Sequence, residues 1–237
     1  MKQQGEGFYD FHRETMPQEE RKRYLAQRLR QIIQYAYLRA PAVKERLDKA
    51  HVKPDQIQTI SDLEAIPILG REELVELQGK NPPFGGYLAI PQEEVKRVFV
   101  SPGPLYFPIV DVEQSAGHEE QLCAAGFSKG DIVIDTFAYH MAPAGLTYDN
   151  TAGRLGATVI AGGTGNTDFQ VQVMHHLGVT GYMGTPSFLA TIIKRAEEVG
   201  YNFSKDFRLR CAALSGEVLP PSLRRFFEQD YGISVID

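Results

Sequence analysis

The sequence has little cysteine, no long apolar run and no targeting segment at its start. Its 237 residues include only two cysteines, Cys123 and Cys211, which lie far apart in apolar stretches. That placement favours buried thiols in a reducing compartment over a disulfide. No apolar stretch reaches the length of a membrane span, and the first residues lack the apolar core of a secretory signal. These absences predict a cytoplasmic protein with no membrane partner.

Motifs of several common functions are also missing. The formal net charge is −5 and there is no long basic run, which argues against a nucleic-acid partner. No spacing of cysteine and histidine resembles a zinc site, so we predict no metal ligands in this sequence. The sequence also lacks a Walker phosphate loop, a G-x-S-x-G motif and an H-E-x-x-H motif.

What the sequence does have is a globular composition and a pattern that changes near residue 95. Apolar residues make up 43% and charged residues 23% of the chain, which is enough for a sizeable core. The first part shows helical spacing, with a long helix that Thr15 and Gln18 would start with a capping box and Pro41 would end. We therefore predict a helical N-terminal region at 1–94 and a second domain at 95–237.

The second domain alternates between strand and helix patterns. The predicted strands are 95–100, 131–137, 157–161, 180–183, 210–214 and 233–236. The predicted helices are 112–125, 145–155, 169–177, 186–199 and 220–229. This order predicts an α/β fold with a mostly parallel sheet flanked by helices. Ligands bind at the carboxyl ends of the strands in such sheets, so the loops after these strands are the candidate site.

The loop after the second predicted strand has the most side chains suited to a ligand. It carries Tyr139, His140, Met141, Ala144 and Gly145. Tyr139 and His140 offer an aromatic wall and a titratable group. From these residues alone, a small-molecule pocket and a purely structural loop are equally open.

Two later loops also follow predicted strands. In Gly184-Thr185-Pro186, Thr185 has the position of an N-cap and Pro186 that of the first helical residue, so helix capping alone explains this loop. Ser215-Gly216-Glu217 places a hydroxyl, a glycine and a carboxylate at a strand tip, where they would line one face of a flat ring. The alternative is a tight turn whose acid is favoured by a helix dipole.

A series of short segments occurs in a specific order. They are residues 14–16, 28–30, 35–37, 40–41, 60–67, 155–160, 163–167, 184–187 and 215–220. In order and spacing they resemble the phenylacetate-CoA ligases, which belong to the AMP-forming (adenylate-forming) acyl-CoA synthetase superfamily. The resemblance covers essentially the whole sequence.

The resemblance implies a reaction in two steps. A carboxylate attacks the α-phosphate of ATP to give an acyl-adenylate and pyrophosphate, and the thiolate of coenzyme A then displaces AMP. Mg²⁺ is expected as the companion of ATP. By the same resemblance, Ser215, Gly216 and Glu217 lie against the adenine, and Ser101 and Gly103 belong to the phosphate loop. The segments 139–145 and 184–187 are assigned to the acyl pocket.

The sequence departs from the family pattern in two places. The phosphate loop usually ends in Gly-Lys-Pro, whereas residues 101–108 read SPGPLYFP and have no lysine. A divergent ligase and a branch without adenylation both stay open. The family continues after its last strand here with a Tyr-Gly-x-Thr-Glu motif that serves the adenine and Mg²⁺, whereas Asp237 is the last residue of this sequence.

We therefore expect the truncated N-terminal portion of a ligase for an organic acid, aryl or other, which is inactive on its own. The alternative is a non-catalytic acyl- or nucleotide-binding module, or half of a split ligase. The expected partners are the carboxylic acid, ATP and coenzyme A. A homodimer, or association with the missing C-terminal part, is also expected.

Overall fold

The computed structural model describes residues 7–110 and 118–237. These residues form two compact units. The first, called the helical unit, comprises residues 15–110, and the second, called the sheet unit, comprises residues 7–14 and 118–237. Within these ranges, no helix is both long enough and apolar enough to cross a membrane.

The helices and strands are numbered along the chain. The helices are α1 (Phe11–Glu14), α2 (Gln18–Arg39), α3 (Pro41–Lys49), α4 (Arg71–Lys80), α5 (Glu119–Ala124), α6 (Ala144–Arg154), α7 (Thr167–Leu177), α8 (Pro186–Glu198), α9 (Phe203–Asp206) and α10 (Pro221–Arg225). The strands are β1 (Arg97–Ser101), β2 (Leu105–Ile109), β3 (Ile132–Asp135), β4 (Thr158–Ala161), β5 (Gly181–Gly184), β6 (Cys211–Leu214) and β7 (Ser234–Ile236). Short 3₁₀ turns occupy Pro54–Gln56, Ile60–Ala65 and Gln92–Glu94, and a π-helical turn, Phe226–Asp230, continues α10.

The core of the helical unit forms around Leu47 and Ile57. Each is 1% exposed, and Leu29 and Ile33 of α2 pack against them. Leu29 and Ile33 are four residues apart, so they lie on one face of the helix. Burial of that face stabilises α2 more than its intrinsic helix propensity does.

The predicted start of the first long helix is wrong, and its predicted end is confirmed. α2 begins at Gln18, and Pro17 occupies the N-cap position without a side-chain cap. Since proline has no side-chain acceptor, the N-cap of α2 is not the capping-box threonine that the sequence predicted. Ala40 is extended and Pro41 starts α3, because a proline ring cannot continue the preceding helix.

The helical unit also contains a hairpin of β1 and β2. The strands are antiparallel, with Ser101 opposite Leu105. Gln78 of α4, which is 4% exposed, donates from Nε2 to the carbonyl oxygen of Tyr106 and accepts from its N–H, both at 2.9 Å. This pair of hydrogen bonds fixes β2 to α4. No strand was predicted at β2, because Pro108 within it interrupts the strand pattern.

The sheet unit is built on five parallel strands in the order β4-β3-β5-β6-β7. This confirms the predicted α/β fold with a parallel sheet. Neighbouring residues of β3 face opposite sides, as the pleat requires. Ile134 joins a core with α7 and α8, and Val133 joins a core with α5 and α6. Both faces of the sheet are therefore covered by helices.

A buried carboxylate, paired with the partly exposed Arg210, ties the amino ends of three strands together. Asp131, 5% exposed, accepts from Arg210 at 2.6 and 2.5 Å, from the Thr180 hydroxyl at 2.7 Å and from the Ser128 N–H at 2.7 Å. Burial alone would raise the pKa of Asp131, but the hydrogen bonds from Thr180, Ser128 and Arg210 outweigh it and hold the pKa below its usual value.

We expect Asp131→Asn to lower the free energy of unfolding at pH 7 by about 2–4 kcal/mol, because the buried amide NH2 cannot accept the hydrogen bonds that one carboxylate oxygen accepts. A carboxylate whose pKa is lowered by folding stabilises the protein above its unfolded pKa, and the contribution is lost as pH falls through the folded value. The deficit of the variant should therefore shrink below about pH 4. Urea unfolding at pH 7 and pH 3.5 tests this.

The matched control is Asp168→Asn, which removes a carboxylate from an exposed pair with Arg195 at 2.5 Å. Exposed pairs contribute little, so this variant should unfold like the parent chain. Equal losses in the two variants would contradict the importance of the buried pair.

Candidate active site

The carboxyl ends of β3, β5 and β6 lie side by side at one edge of the sheet. In the register of the sheet, Gly184 pairs with Leu214. The Thr136 N–H donates to the carbonyl oxygen of Met183 at 2.8 Å, and the Ser215 N–H donates to that of Gly184 at 3.1 Å. The structure therefore brings together the three sheet-unit loops that the sequence singled out.

At the carboxyl end of β3, the buried Asp135 and the half-buried Asp149 of α6 are joined through the phenol of Tyr139. Asp135, at the end of β3, is fully buried and accepts from the Phe137 N–H at 2.8 Å. The Tyr139 hydroxyl lies 2.9 Å from Asp149 Oδ2 and 3.3 Å from Asp135 Oδ2. The ring of Tyr139 is held in one orientation by these contacts. The sequence pointed to Tyr139 but not to the two carboxylates, which carry no motif.

The environment of Asp135 and Tyr139 raises the pKa of both groups and favours their protonated forms. Burial raises the pKa of Asp135 to about 8, the hydrogen bonds from Phe137 and Tyr139 oppose this shift, and the nearby Asp149 adds to it. Burial also raises the pKa of Tyr139 well above its usual value. At pH 7 the edge of the sheet therefore presents a neutral carboxyl at Asp135, and a neutral phenol beside it.

Gly145 is needed for the close approach of α6 to the same loop. Its N–H donates to the carbonyl oxygen of Ala138 at 3.2 Å. A Cβ at this position would lie 2.7 Å from that oxygen and 2.9 Å from Cδ2 of Tyr139. Only glycine allows this contact without a shift of the Tyr139 ring. Ala144, beside it, is the first residue of α6 and is half-buried.

Gly184 ends β5 against a chain of hydroxyl groups. Thr136 Oγ1 lies 2.9 Å from the Tyr182 hydroxyl, which donates to the carbonyl oxygen of Thr185 at 3.2 Å. Burial raises the pKa of Tyr182, so its hydroxyl remains a donor. A Cβ on Gly184 would lie 2.1 Å from Thr136 Oγ1 and 2.3 Å from the Tyr182 oxygen.

The capping explanation for Thr185 and Pro186 is confirmed, and it extends to Glu217. Thr185 Oγ1 accepts from the Phe188 N–H at 3.4 Å, and Pro186 is the first residue of α8. Glu217 accepts from the Ser187 N–H at 2.5 Å. Hydrogen bonds from Ser187 lower the pKa of Glu217. The acid thus serves the N-terminus of α8, 30 residues earlier in the chain.

An aromatic stack not foreseen from the sequence adjoins Ser215. The rings of His118 and Tyr148 are stacked, with centroids 4.9 Å apart. The ring of Phe137 is also stacked on Tyr148, with centroids 5.0 Å apart. Burial raises the pKa of Tyr148, while hydrogen bonds to Ser215 and Gln121 oppose this shift. His118 is therefore part of a packed group.

The remaining predicted residues of these loops face solvent or lie elsewhere. His140 and Gly216 are exposed, and Met141 is 62% exposed. Ser101 and Gly103 lie in the β1–β2 turn of the helical unit. A Cβ on Gly103 would lie 3.1 Å from Cγ2 of Val75, so this glycine has a packing role.

The described ranges contain no group of three or more histidine, cysteine, aspartate or glutamate side chains able to hold a metal ion. Asp135 and Asp149, the nearest pair of carboxylates at the site, are already engaged by Tyr139. Residues 7–110 and 118–237 therefore offer no ready-made protein ligand set for Mg²⁺.

Curated proteins similar to this chain are ligases. It is 31% identical over 231 residues to the phenylacetate-coenzyme A ligase of Pseudomonas putida, which covers 94% of the chain and 51% of the relative. It is 29% identical over 231 residues to the enzyme of the same name from Escherichia coli (strain K12), covering 94% of the chain and 52% of the relative. The chain spans about half the length of the curated relatives it matches. No protein-family model matches it.

Solved structures give a likeness of the same extent. An open conformation of 2-hydroxyisobutyryl-CoA ligase in complex with 2-HIB-AMP and CoA superposes with a TM-score of 0.91 at 27% identity, over 99% of this chain and 53% of that one. The postadenylation state of that enzyme with 2-HIB-AMP gives a TM-score of 0.90 at 27% identity, over 99% and 51%.

Proposed function

Because this chain is a homologue of the phenylacetate-CoA ligases and spans about half of their length, we propose that it is part of an AMP-forming acyl-CoA ligase. The whole enzyme would activate an organic acid with ATP and transfer the acyl group to coenzyme A. The observation that carries this proposal is the 31% identity to such a ligase across 94% of the chain. The TM-score of 0.91 to a ligase in complex with an acyl-adenylate and CoA supports it.

We assign the acyl pocket to the loops after β3 and β5. Tyr139 supplies an aromatic wall whose orientation Asp135 and Asp149 fix through the phenol. Positioning of this kind is the main contribution of protein groups to an acyl transfer in which ATP supplies the leaving group.

We assign the adenine to the loop after β6. Gly216 has a φ of 88°, which turns the backbone sharply at the strand tip. Because Gly216 has no side chain, the backbone of this turn can approach a flat ring closely. Glu217 contributes indirectly, since its contact with the N-terminus of α8 holds the turn in place.

The other components of the reaction are assigned to few residues or to none. Ser101 and Gly103 are proposed to contact phosphate groups of ATP. Mg²⁺ usually binds through substrate phosphates and few protein carboxylates, and we assign it no residue of the described ranges. Coenzyme A is proposed as the acyl acceptor, and a second copy or the complementary half of the ligase as a protein partner.

The second candidate is a binding module without catalysis, and the altered loop at 101–108 favours it. Titration calorimetry separates the two. The chain is titrated with hydrolysis-resistant phenylacetyl- and 2-hydroxyisobutyryl-adenylate analogues, and with ATP and AMP. If the chain binds none of these ligands, both candidate functions are wrong. If the chain binds a ligand, it is next combined with the complementary half of a relative and assayed for pyrophosphate exchange into ATP. Binding without exchange leaves only the binding module.

His140 tests the assignment of the acyl pocket. We expect His140→Ala to change the ratio of affinities for the two adenylate analogues by roughly tenfold, because one pocket group commonly contributes that much to discrimination. His176→Ala is the matched control, since His176 is an exposed histidine on α7. An unchanged ratio in His140→Ala would remove His140 from the pocket.

A further inference from the structure

Arg71 of α4 reaches the turn of the β1–β2 hairpin. Its Nη2 donates to Ser101 Oγ at 2.8 Å and also to the carbonyl oxygen of Pro102. Arg71 and Ser101 are 30 residues apart in the chain, and no sequence motif connects them. All of these groups belong to the helical unit.

The charge of Arg71 is not neutralised by its surroundings. Its two hydrogen bonds go to a hydroxyl and a carbonyl oxygen, and no carboxylate of the described ranges lies within 4.0 Å of it. Glu73, the acid two residues away, pairs instead with Arg46. The guanidinium is exposed and both hydrogen bonds use Nη2, so Nε and Nη1 are left to face a ligand.

The turn is held rigidly against α4. Gln78 fixes Tyr106 through two hydrogen bonds of 2.9 Å. Gly103 approaches Val75 so closely that a Cβ would lie 3.1 Å from Val75 Cγ2. Since α4 carries Arg71, Val75 and Gln78 on successive turns, it sets the guanidinium and the hairpin turn in one fixed arrangement.

We propose that Arg71 supplies the positive charge of the phosphate-binding turn, in place of the lysine that the segment 101–108 lacks. A guanidinium presents several N–H donors in a plane that matches two phosphate oxygens at once. The Ser101 hydroxyl, which accepts from Arg71, keeps its own proton for a third hydrogen bond. The ligand is the β- and γ-phosphate part of ATP, so this inference rests on the proposed function.

The test compares ligands with and without those phosphates. The chain is titrated calorimetrically with ATP, tripolyphosphate and AMP at fixed ionic strength. We expect Arg71→Gln to weaken ATP and tripolyphosphate by roughly 10- to 100-fold, since each lost charge-assisted hydrogen bond contributes that order. AMP should bind with unchanged affinity. Arg71→Lys, which keeps the charge but loses the planar pair of donors, should weaken ATP less than Arg71→Gln does.

Arg97→Gln is the matched control, since Arg97 is an exposed arginine on β1. It stands four residues from Ser101, about 13 Å along an extended strand, and should bind ATP normally. If Arg71→Gln keeps full ATP affinity, the inference fails while the proposed ligase function stands. An equal loss in Arg71→Lys and Arg71→Gln would make the role of Arg71 purely structural. A parent chain that binds neither ATP nor the acyl-adenylate analogues overturns both proposals.

Discussion

Replacement of Gly184 by alanine is expected to lower the free energy of unfolding by about 3 kcal/mol, near the upper end for overpacking a tight site. The added Cβ would lie 2.1 Å from Thr136 Oγ1 and 2.3 Å from the Tyr182 oxygen, so close that a neighbouring group has to shift. Either hydroxyl must move, and movement breaks the hydrogen-bonded chain that ends at the Thr185 carbonyl. The buried Tyr182 hydroxyl would then lack a partner.

The measurement is urea unfolding at pH 7, with the slope checked so that both variants report the same transition. Gly153→Ala is the control, because Gly153 lies in α6 and a Cβ there meets no atom within 4 Å. Alanine is preferred over glycine inside a helix by about 0.5–1 kcal/mol, so this variant should be slightly more stable. If Gly184→Ala were as stable as the parent chain, the packing at the end of β5 would be looser than described here.

A second large effect is expected from Asp135, in the pH dependence of stability. Its pKa is about 8 in the folded chain and about 3.9 when unfolded. Between these values the folded chain holds a proton that the unfolded chain has lost. The stabilisation from the protonated carboxyl is therefore complete below about pH 4 and falls as pH rises towards 8. Each pH unit in that window changes stability by up to about 1.4 kcal/mol.

Asp135→Asn should abolish most of this slope. The amide has the shape of the protonated carboxyl and no charge to bury, so the variant should exceed the parent chain in stability by a few kcal/mol at pH 8. At pH 4 the two should be alike. Unfolding curves at pH 4, 6 and 8 give the comparison, with the exposed Asp168→Asn as a control that keeps the parental slope. Parallel pH profiles for Asp135→Asn and the parent chain would show that the folded carboxyl is already ionised at pH 7.

The sheet and the location of the site followed from local sequence patterns. Short apolar runs separated by helical periods predicted a parallel sheet, and the rule that ligands bind at the carboxyl ends selected the loops that meet there. Thr185 and Pro186 were also predictable, because an N-cap residue and a proline in the first turn form a pattern only three residues long. Such features depend on neighbours in the chain, which the sequence displays directly.

Several side-chain pairings, each within one of the two units, did not follow from the sequence. Asp149 meets Tyr139 across ten residues, Glu217 meets Ser187 across 30, and Arg71 meets Ser101 across 30. These pairings depend on the strand register and on the placement of a helix against a hairpin, and no local pattern encodes either. The missed strand β2 and the wrong capping box both involve prolines. A proline has no backbone N–H, so its effect depends on whether the fold needs a hydrogen-bond donor at that position.

The order of strands in the sheet has a consequence for how the chain acquires its structure during synthesis. β5 lies in the middle of the sheet, between β3, which precedes it, and β6, which follows it. Every pairing in this sheet is parallel, so each needs a long crossover before it forms, and such non-local pairing is slow. Until residues 211–214 have emerged from the ribosome, one side of β5 has no partner strand and its apolar residues are open to aggregation. The end of the sheet where the loops after β3, β5 and β6 meet is therefore among the last parts of the sheet unit to form.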